Sequence, residues 1–180
     1  MRSLDAEQSA RWMEKGNVLL HPTEGVWGLG CDPFNLKSIG RVFELKGRER
    51  EKKFILLFKD LNSVNLYSDI ILKKNVISSF WPGHNSIIIP ANKLMPKYLT
   101  FKSSFVARVS DHSPIVKLHK YFNGPFISTS ANISGQDVPE SLGSIIKLFS
   151  YEDVAFYNAP LGDKVSPSRI YNLIEKRYVR

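Results

Sequence analysis

Cysteine is nearly absent from this 180-residue chain. The single Cys31 excludes an internal disulfide and any cysteine-built zinc site, and it makes a reducing compartment the default. Histidine is sparse too: His21, His84, His112 and His119 are scattered, with no H-E-x-x-H or similar ligand spacing, so no protein metal site is expected. No apolar run is long enough to span a bilayer, and the first eight residues are too acidic and polar for a signal peptide. No repeat, low-complexity tract or linker breaks the chain. The expectation is a small, soluble, cytoplasmic protein with no membrane segment, one domain over residues 1–180, as roughly 150 residues per domain implies. Acidic residues are the minority: 25 Lys and Arg against 17 Asp and Glu leave a net charge of +8, which favours anionic partners such as nucleotides or RNA. There is no Walker A loop, and Gly28-Leu29-Gly30 lacks the third glycine of a dinucleotide fingerprint. Asp111-His112 has no G-x-S-x-G elbow to make it part of a hydrolase triad.

What is present reads as alternating elements. Ser3 or Asp5 can cap a first helix that runs to about Lys15 and stops at Gly16. Val18-Leu19-Leu20 is a short apolar strand, residues 23–35 read as a structured loop, and residues 36–45 form a second helix with Ile39, Val42, Phe43 and Leu45 on its apolar face. Phe54-Ile55-Leu56-Leu57-Phe58 fits a strand buried on both faces. Two short helices are expected between residues 60 and 79, strands over 86–89 and 105–109, a helix over 114–121, and a strand leading from Phe126-Ile127 into Ser128. A late helix over 141–149 and short strands near 154–157 and at the C-terminus complete an α/β fold with a mixed sheet.

Three segments carry chemistry. The loop His21-Pro22-Thr23-Glu24-Gly25-Val26-Trp27-Gly28-Leu29-Gly30-Cys31-Asp32-Pro33 leaves an apolar strand, where α/β sheets present ligand sites, and it could equally be a turn-rich connection. Lys46-Gly47-Arg48 pairs a point charge with a guanidinium fork, which suits a polyphosphate, but also suits a solvated helix end. Ser128-Thr129-Ser130-Ala131-Asn132-Ile133-Ser134-Gly135 ends a buried strand in five hydroxyl or amide side chains, able to bind a phosphate or adenine or merely to cap the next segment. Arg108, inside the apolar strand Ala107-Arg108-Val109, needs a partner or a ligand, a structural ion pair being the commoner case. On one helix His112 and His119 would share a face, and Trp12, Trp27 and Trp81 read as packing aromatics.

Taken in order, His-Pro-Thr-Glu-Gly-Val-Trp-Gly-Leu-Gly-Cys-Asp, Lys-Gly-Arg, Trp-Pro-Gly, Ala-Arg-Val and Ser-Thr-Ser-Ala-Asn-Ile-Ser-Gly resemble the YrdC-like family, over essentially the whole chain and most closely its short bacterial members of the TsaC type. The resemblance implies a single twisted mixed sheet flanked by helices. It implies a nucleotidyltransferase that joins L-threonine, bicarbonate and ATP into threonylcarbamoyl-adenylate and pyrophosphate, with Mg²⁺ arriving on ATP. Partner proteins would then pass the threonylcarbamoyl group to a tRNA adenosine.

By the same resemblance Lys46 and Arg48 contact the triphosphate and are catalytic, while Ser128, Ser130 and Asn132 hold the nucleotide. Lys52, the Val138 backbone and Arg180 fall near nucleotide positions. Thr23, Arg108 and Ser168 fall on the threonine side. Two positions depart from the pattern: Leu57 stands where longer relatives often carry a threonine-contacting histidine, and Asn172 replaces an aspartate of the terminal motif. Two other readings are compatible with the composition: a non-catalytic module binding tRNA or double-stranded RNA, supported by the +8 charge, and a paralogue using another acceptor.

Overall fold

Asp5 opens the first helix, α1 (Ala6–Glu14), through a reciprocal capping box with Gln8. Its buried side chains Ala6, Ser9, Ala10 and Met13 recur at helical spacing, and Gly16 at φ +81° turns the chain out. Asn35 caps α2 (Leu36–Lys46), which ends at Gly47 in the left-handed region. The inward stripe of α2 is Ile39, Val42, Leu45 and Lys46, so periodicity places a lysine on the buried face. Four shorter helices follow: α3 (Leu61–Asn65), α4 (Lys74–Ile77), α5 (Ser113–Leu118) and α6 (Leu142–Leu148).

The computed structural model describes residues 1–49, 54–164 and 166–180. Lys52 lies outside the described residues. Ten strands among them form one mixed sheet: β1 (Arg2–Leu4), β2 (Val18–His21), β3 (Gly28–Gly30), β4 (Ile55–Phe58), β5 (Asn85–Pro90), β6 (Ser104–Val109), β7 (Phe126–Ser130), β8 (Val154–Tyr157), β9 (Arg169–Asn172) and β10 (Arg177–Tyr178). Their spatial order is β1-β8-β2-β3-β7-β4-β6-β5-β9-β10. Parallel pairs (β4 with β6, β5 with β9, β2 with β8) sit beside antiparallel ones (β3 with β7, β4 with β7, β5 with β6).

Side-chain alternation assigns the two faces. Leu20, Leu29, Leu56, Phe58, Ile87, Ala107 and Ile127 point into the larger apolar cluster, which takes in residues of α2, α3, α4 and α6. Leu19, Leu57, Phe126 and Tyr157 point the other way, into a smaller cluster built with α1 and α5. Those two helices cover only part of that second face. Over the rest, Ser128 and Ser130 of β7, Ile55 of β4, Val106 and Arg108 of β6 and Ile170 of β9 floor an open cleft.

Two sequence expectations change here. Residues 23–35 contain β3, a strand whose glycines are required by the His21 ring packed against it: a Cβ at Gly28 or Gly30 would lie 2.8 or 2.9 Å from that ring. Helix α5 is only six residues long, so His112 and His119 flank it at opposite ends. His112 meets the Pro160 carbonyl at 3.1 Å, whereas His119 is buried against Phe126. Among the described residues no helix is long and apolar enough to cross a membrane.

Candidate active site

The cleft encloses about 260 Å³ and is walled by Thr23, Val26, Gly28, Arg48, Phe54, Ser128, Thr129, Ser130, Pro167, Ser168 and Arg180 around its sheet floor. Seven of the residues expected from the sequence therefore meet in it: Thr23, Arg48, Arg108, Ser128, Ser130, Ser168 and Arg180. A larger hollow of about 610 Å³ lies at the carboxyl ends of β4 and β6. Its wall is mostly apolar, and Lys59 and Lys74 are balanced there by Asp60 and Asp111. The smaller cleft is the one with converging cationic charge.

Three arginines set its electrostatics. Burial pulls the Arg48 guanidinium below the usual arginine range, and the charge of Arg180 adds to this. Arg180 is lowered in turn by burial and by Arg108. Mutual repulsion of this kind, in a partly dehydrated wall, is relieved by an anion. Arg48 also stacks over Phe54, 5.1 Å from the ring centroid. Arg180 donates from Nη2 to the Ser168 carbonyl at 3.0 Å, which ties the last residues to the cleft wall.

Arg108 is compensated differently. Its Nη2 forms a buried ion pair with Glu24 Oε2, and Ser110 Oγ donates to Glu24 Oε1 at 2.8 Å. Burial alone would raise the Glu24 carboxyl, but Arg108 and the Ser110 hydroxyl hold it below the usual carboxylate range. Arg108 also donates to the Gly83 carbonyl at 3.3 Å and to His84 Nδ1 at 2.9 Å. Glu24, Ser110 and His84 were not assigned roles from the sequence. Glu24 lies in the quoted motif, whereas nothing local marks Ser110 or His84 as neighbours of Arg108.

Lys46 is placed differently from the expectation. Its side chain is 1% exposed and does not line the cleft. Nζ donates to the carbonyls of Ser130 and Asn132, the latter at 2.7 Å, and to Asn132 Oδ1 at 3.1 Å. Ser130 Oγ donates to Asn132 Oδ1 at 2.6 Å, and Asn132 Nδ2 donates to the Gln136 carbonyl at 2.5 Å. The ammonium is thus the hub that folds the Ser130–Asn132 turn against the end of α2. Burial and the charge of Arg48 bring its pKa down to about 8.

The remaining expectations are placed as follows. Thr23 Oγ1 donates to the Val26 carbonyl at 2.7 Å, fixing its own turn at the cleft rim. Ser168 Oγ shares a hydrogen bond with Ser86 Oγ at 2.8 Å. Val138 packs against the larger core cluster, away from the cleft wall. Leu57 packs in the smaller apolar cluster. Asn172 Oδ1 accepts from the amides of Ile174 and Glu175 at 3.0 and 3.1 Å, a turn-forming role that an aspartate would fill as well. Among the described residues no group of three or more His, Cys, Asp or Glu is gathered to hold a metal ion.

A second layer closes over the Thr23-Glu24-Gly25 turn. The amides of Gly162 and Lys164 donate to the carbonyls of Thr23 and Glu24 at 2.9 and 2.8 Å. A Cβ on Gly25 would lie 2.2 Å from the Ser166 carbonyl oxygen, and one on Gly162 would lie 2.5 Å from that of Glu24. Gly25→Ala is therefore expected to destabilise the fold by about 2 kcal/mol, because backbone must move to admit the methyl group. Urea unfolding would register this as a lower midpoint with an unchanged slope. A midpoint equal to that of the native protein would mean that the two segments are not packed as described.

The sequence profile of the Sua5/YciO/YrdC family, described as "telomere recombination", matches residues 11–179. A protein of Buchnera aphidicola subsp. Acyrthosiphon pisum named threonylcarbamoyl-AMP synthase is 35% identical, over 93% of this chain and 98% of its own length. A Pseudomonas aeruginosa protein of the same name is 33% identical over 99% of this chain and 97% of its own. Among solved structures, P. abyssi Sua5 complexed with L-threonine superposes with a TM-score of 0.84 at 23% identity, covering 98% of this chain and 55% of that one. That likeness speaks for the fold.

Proposed function

Since the chain belongs to the Sua5/YciO/YrdC family, with relatives of the same length named threonylcarbamoyl-AMP synthase, we propose that it is an L-threonylcarbamoyladenylate synthase, a nucleotidyltransferase serving threonylcarbamoyladenosine modification of tRNA. The single observation that carries this reading is the convergence of Arg48, Arg108 and Arg180 on one cleft also lined by Ser128 and Ser130.

The chemistry proceeds in two steps. The amine of threonine attacks the carbon of bicarbonate, and loss of water leaves an N-carboxylate. An oxygen of that carboxylate attacks the α-phosphorus of ATP, the bond to the bridging oxygen of the β-phosphate breaks, and pyrophosphate leaves with the electron pair. Negative charge grows on the pentavalent phosphorus and on the departing pyrophosphate. Arg48 and Arg180 are assigned the stabilisation of that charge, and no side chain acts as a covalent nucleophile. Mg²⁺ would arrive as part of the MgATP substrate and would supply charge screening for the phosphates.

Arg108 is assigned the carboxylate of threonine, with Thr23 at the rim beside it. Ser128, Ser130 and the turn fixed by Lys46 are assigned the nucleotide. Lys46 is then a positioning residue: it acts through the turn that its ammonium holds. Proteins that move the threonylcarbamoyl group onto tRNA would take up the adenylate, and the net charge of +8 supports an affinity for RNA.

The test is pyrophosphate release from purified protein with MgATP, adding threonine and bicarbonate singly and together. Release that needs both is expected. Tight ATP binding with no release under any combination would overturn the synthase reading, and a protein that binds RNA but no ATP would point to the non-catalytic module.

A further inference from the structure

His84 follows the Trp81-Pro82-Gly83 corner, and the segment holds Arg108 from two sides. Trp81 Nε1 donates to the Asn85 carbonyl at 2.7 Å and closes the corner. The Gly83 carbonyl accepts from Arg108 Nε, and His84 Nδ1 lies 2.9 Å from Arg108 Nη2. A guanidinium only donates, so Nδ1 is the acceptor and the ring proton sits on Nε2. That proton is directed at the Ser166 carbonyl, 2.9 Å from Nε2. One neutral imidazole therefore links Arg108 to the segment that carries Pro167 and Ser168 into the cleft wall.

We propose that His84 is the positioning residue for Arg108, and that it sets the affinity of the cleft for the carboxylate of its amino-acid substrate. Glu24 alone does not orient Arg108. Glu24 takes one hydrogen of Nη2 and the Gly83 carbonyl takes that of Nε, while His84 Nδ1 takes the second hydrogen of Nη2, so that both hydrogens of this nitrogen are engaged. The inference rests on the assignment of Arg108 to the threonine carboxylate.

Two substitutions separate the bonds of the ring. In His84→Asn the amide oxygen takes the place of Nδ1 and keeps the acceptor for Arg108. In His84→Gln the amide reaches the place of Nε2, which keeps the bond to Ser166 and removes that acceptor. H84Q is expected to raise the KM for threonine by about tenfold or more, the cost of one hydrogen bond to a charged group. The KM for ATP and the urea midpoint should stay within error of the native values, and H84N should restore most of the threonine affinity. In ¹⁵N spectra the Arg108 Nη2–H resonance, identified by its loss in R108K, should be slow to exchange in the native protein and in H84N, and fast in H84Q.

Equal behaviour of the two variants overturns the proposal, whether both match the native protein or both lose affinity for both substrates with a lowered midpoint. The spectra are independent of turnover. If the resonance behaves as stated but the native protein releases no threonine-dependent pyrophosphate, the positioning stands and the threonine assignment fails. If turnover is normal and the resonance is indifferent to both variants, His84 does not position Arg108.

Discussion

Replacing Arg48 with methionine is expected to slow pyrophosphate release about 100-fold or more. The loss follows from removing one preorganised cation from a site where charge develops, an effect worth about 10²–10³ in rate for single donors to an oxyanion. Burial, and after it the charge of Arg180, lower the Arg48 pKa. Methionine keeps an apolar stem over Phe54, 5.1 Å from the guanidinium carbon in the native protein. Steady-state kcat/KM for ATP measures the loss, and urea midpoints of the two proteins, at one ionic strength, separate it from a structural effect. A loss below about fivefold would remove Arg48 from the transition state. A parallel drop in midpoint would make its role structural.

The sequence made the cleft legible because its motifs sit at strand ends and turns that the sheet order brings together. Ser128 and Ser130 follow the buried Phe126-Ile127, so alternation along β7 sets them on the face opposite Ile127. Arg108 alternates with Ala107 and Val109 and falls on that same face through the pairing of β6 with β4. The ion pair expected for Arg108 is present, to Glu24, and the same side chain lines the cleft.

What stayed hidden is what only the fold brings together. Glu24 and Ser110 are 86 residues apart in sequence, and His84 and Ser166 are 82 apart. No local pattern predicts either contact. Strand β3 was missed for a different reason: Gly28 and Gly30 have poor strand propensity, and the space beneath them is taken by the ring of His21. Lys46 is the instructive case. Its motif suits a polyphosphate or a solvated helix end, yet the spacing of Ile39, Val42 and Lys46 puts it on the inward stripe of α2, where a lysine requires acceptors. The turn around Ser130 and Asn132 supplies them, so the two motifs are halves of one structure.

That union gives Lys46 opposite effects on activity and on stability above neutral pH. Lys46→Met should abolish at least 99% of pyrophosphate release, because about three acceptors of the turn lose their donor and the nucleotide-binding geometry goes with them. In the native protein burial, and after it the charge of Arg48, lower the Lys46 pKa to about 8 from an ordinary 10.5. The ammonium is therefore present at neutral pH and gives way to an amine as pH rises through about 8. An amine has two N–H groups for the three acceptors, so activity should fall along an alkaline limb centred near that value. Stability runs the other way. Between about pH 8 and 10.5 the unfolded chain holds the lysine proton and the folded chain does not, so the contribution of Lys46 to folding becomes more favourable as pH rises in that window. Urea midpoints of the native protein relative to K46M, taken at pH 7 and 9.5, should move in favour of the native protein at the higher pH, while its rate falls. A rate that is flat to pH 9.5, or K46M activity within tenfold of native, would sever the turn from the chemistry. A rate and a relative midpoint that fell together would mean that the ammonium is held by the folded protein more strongly than by water.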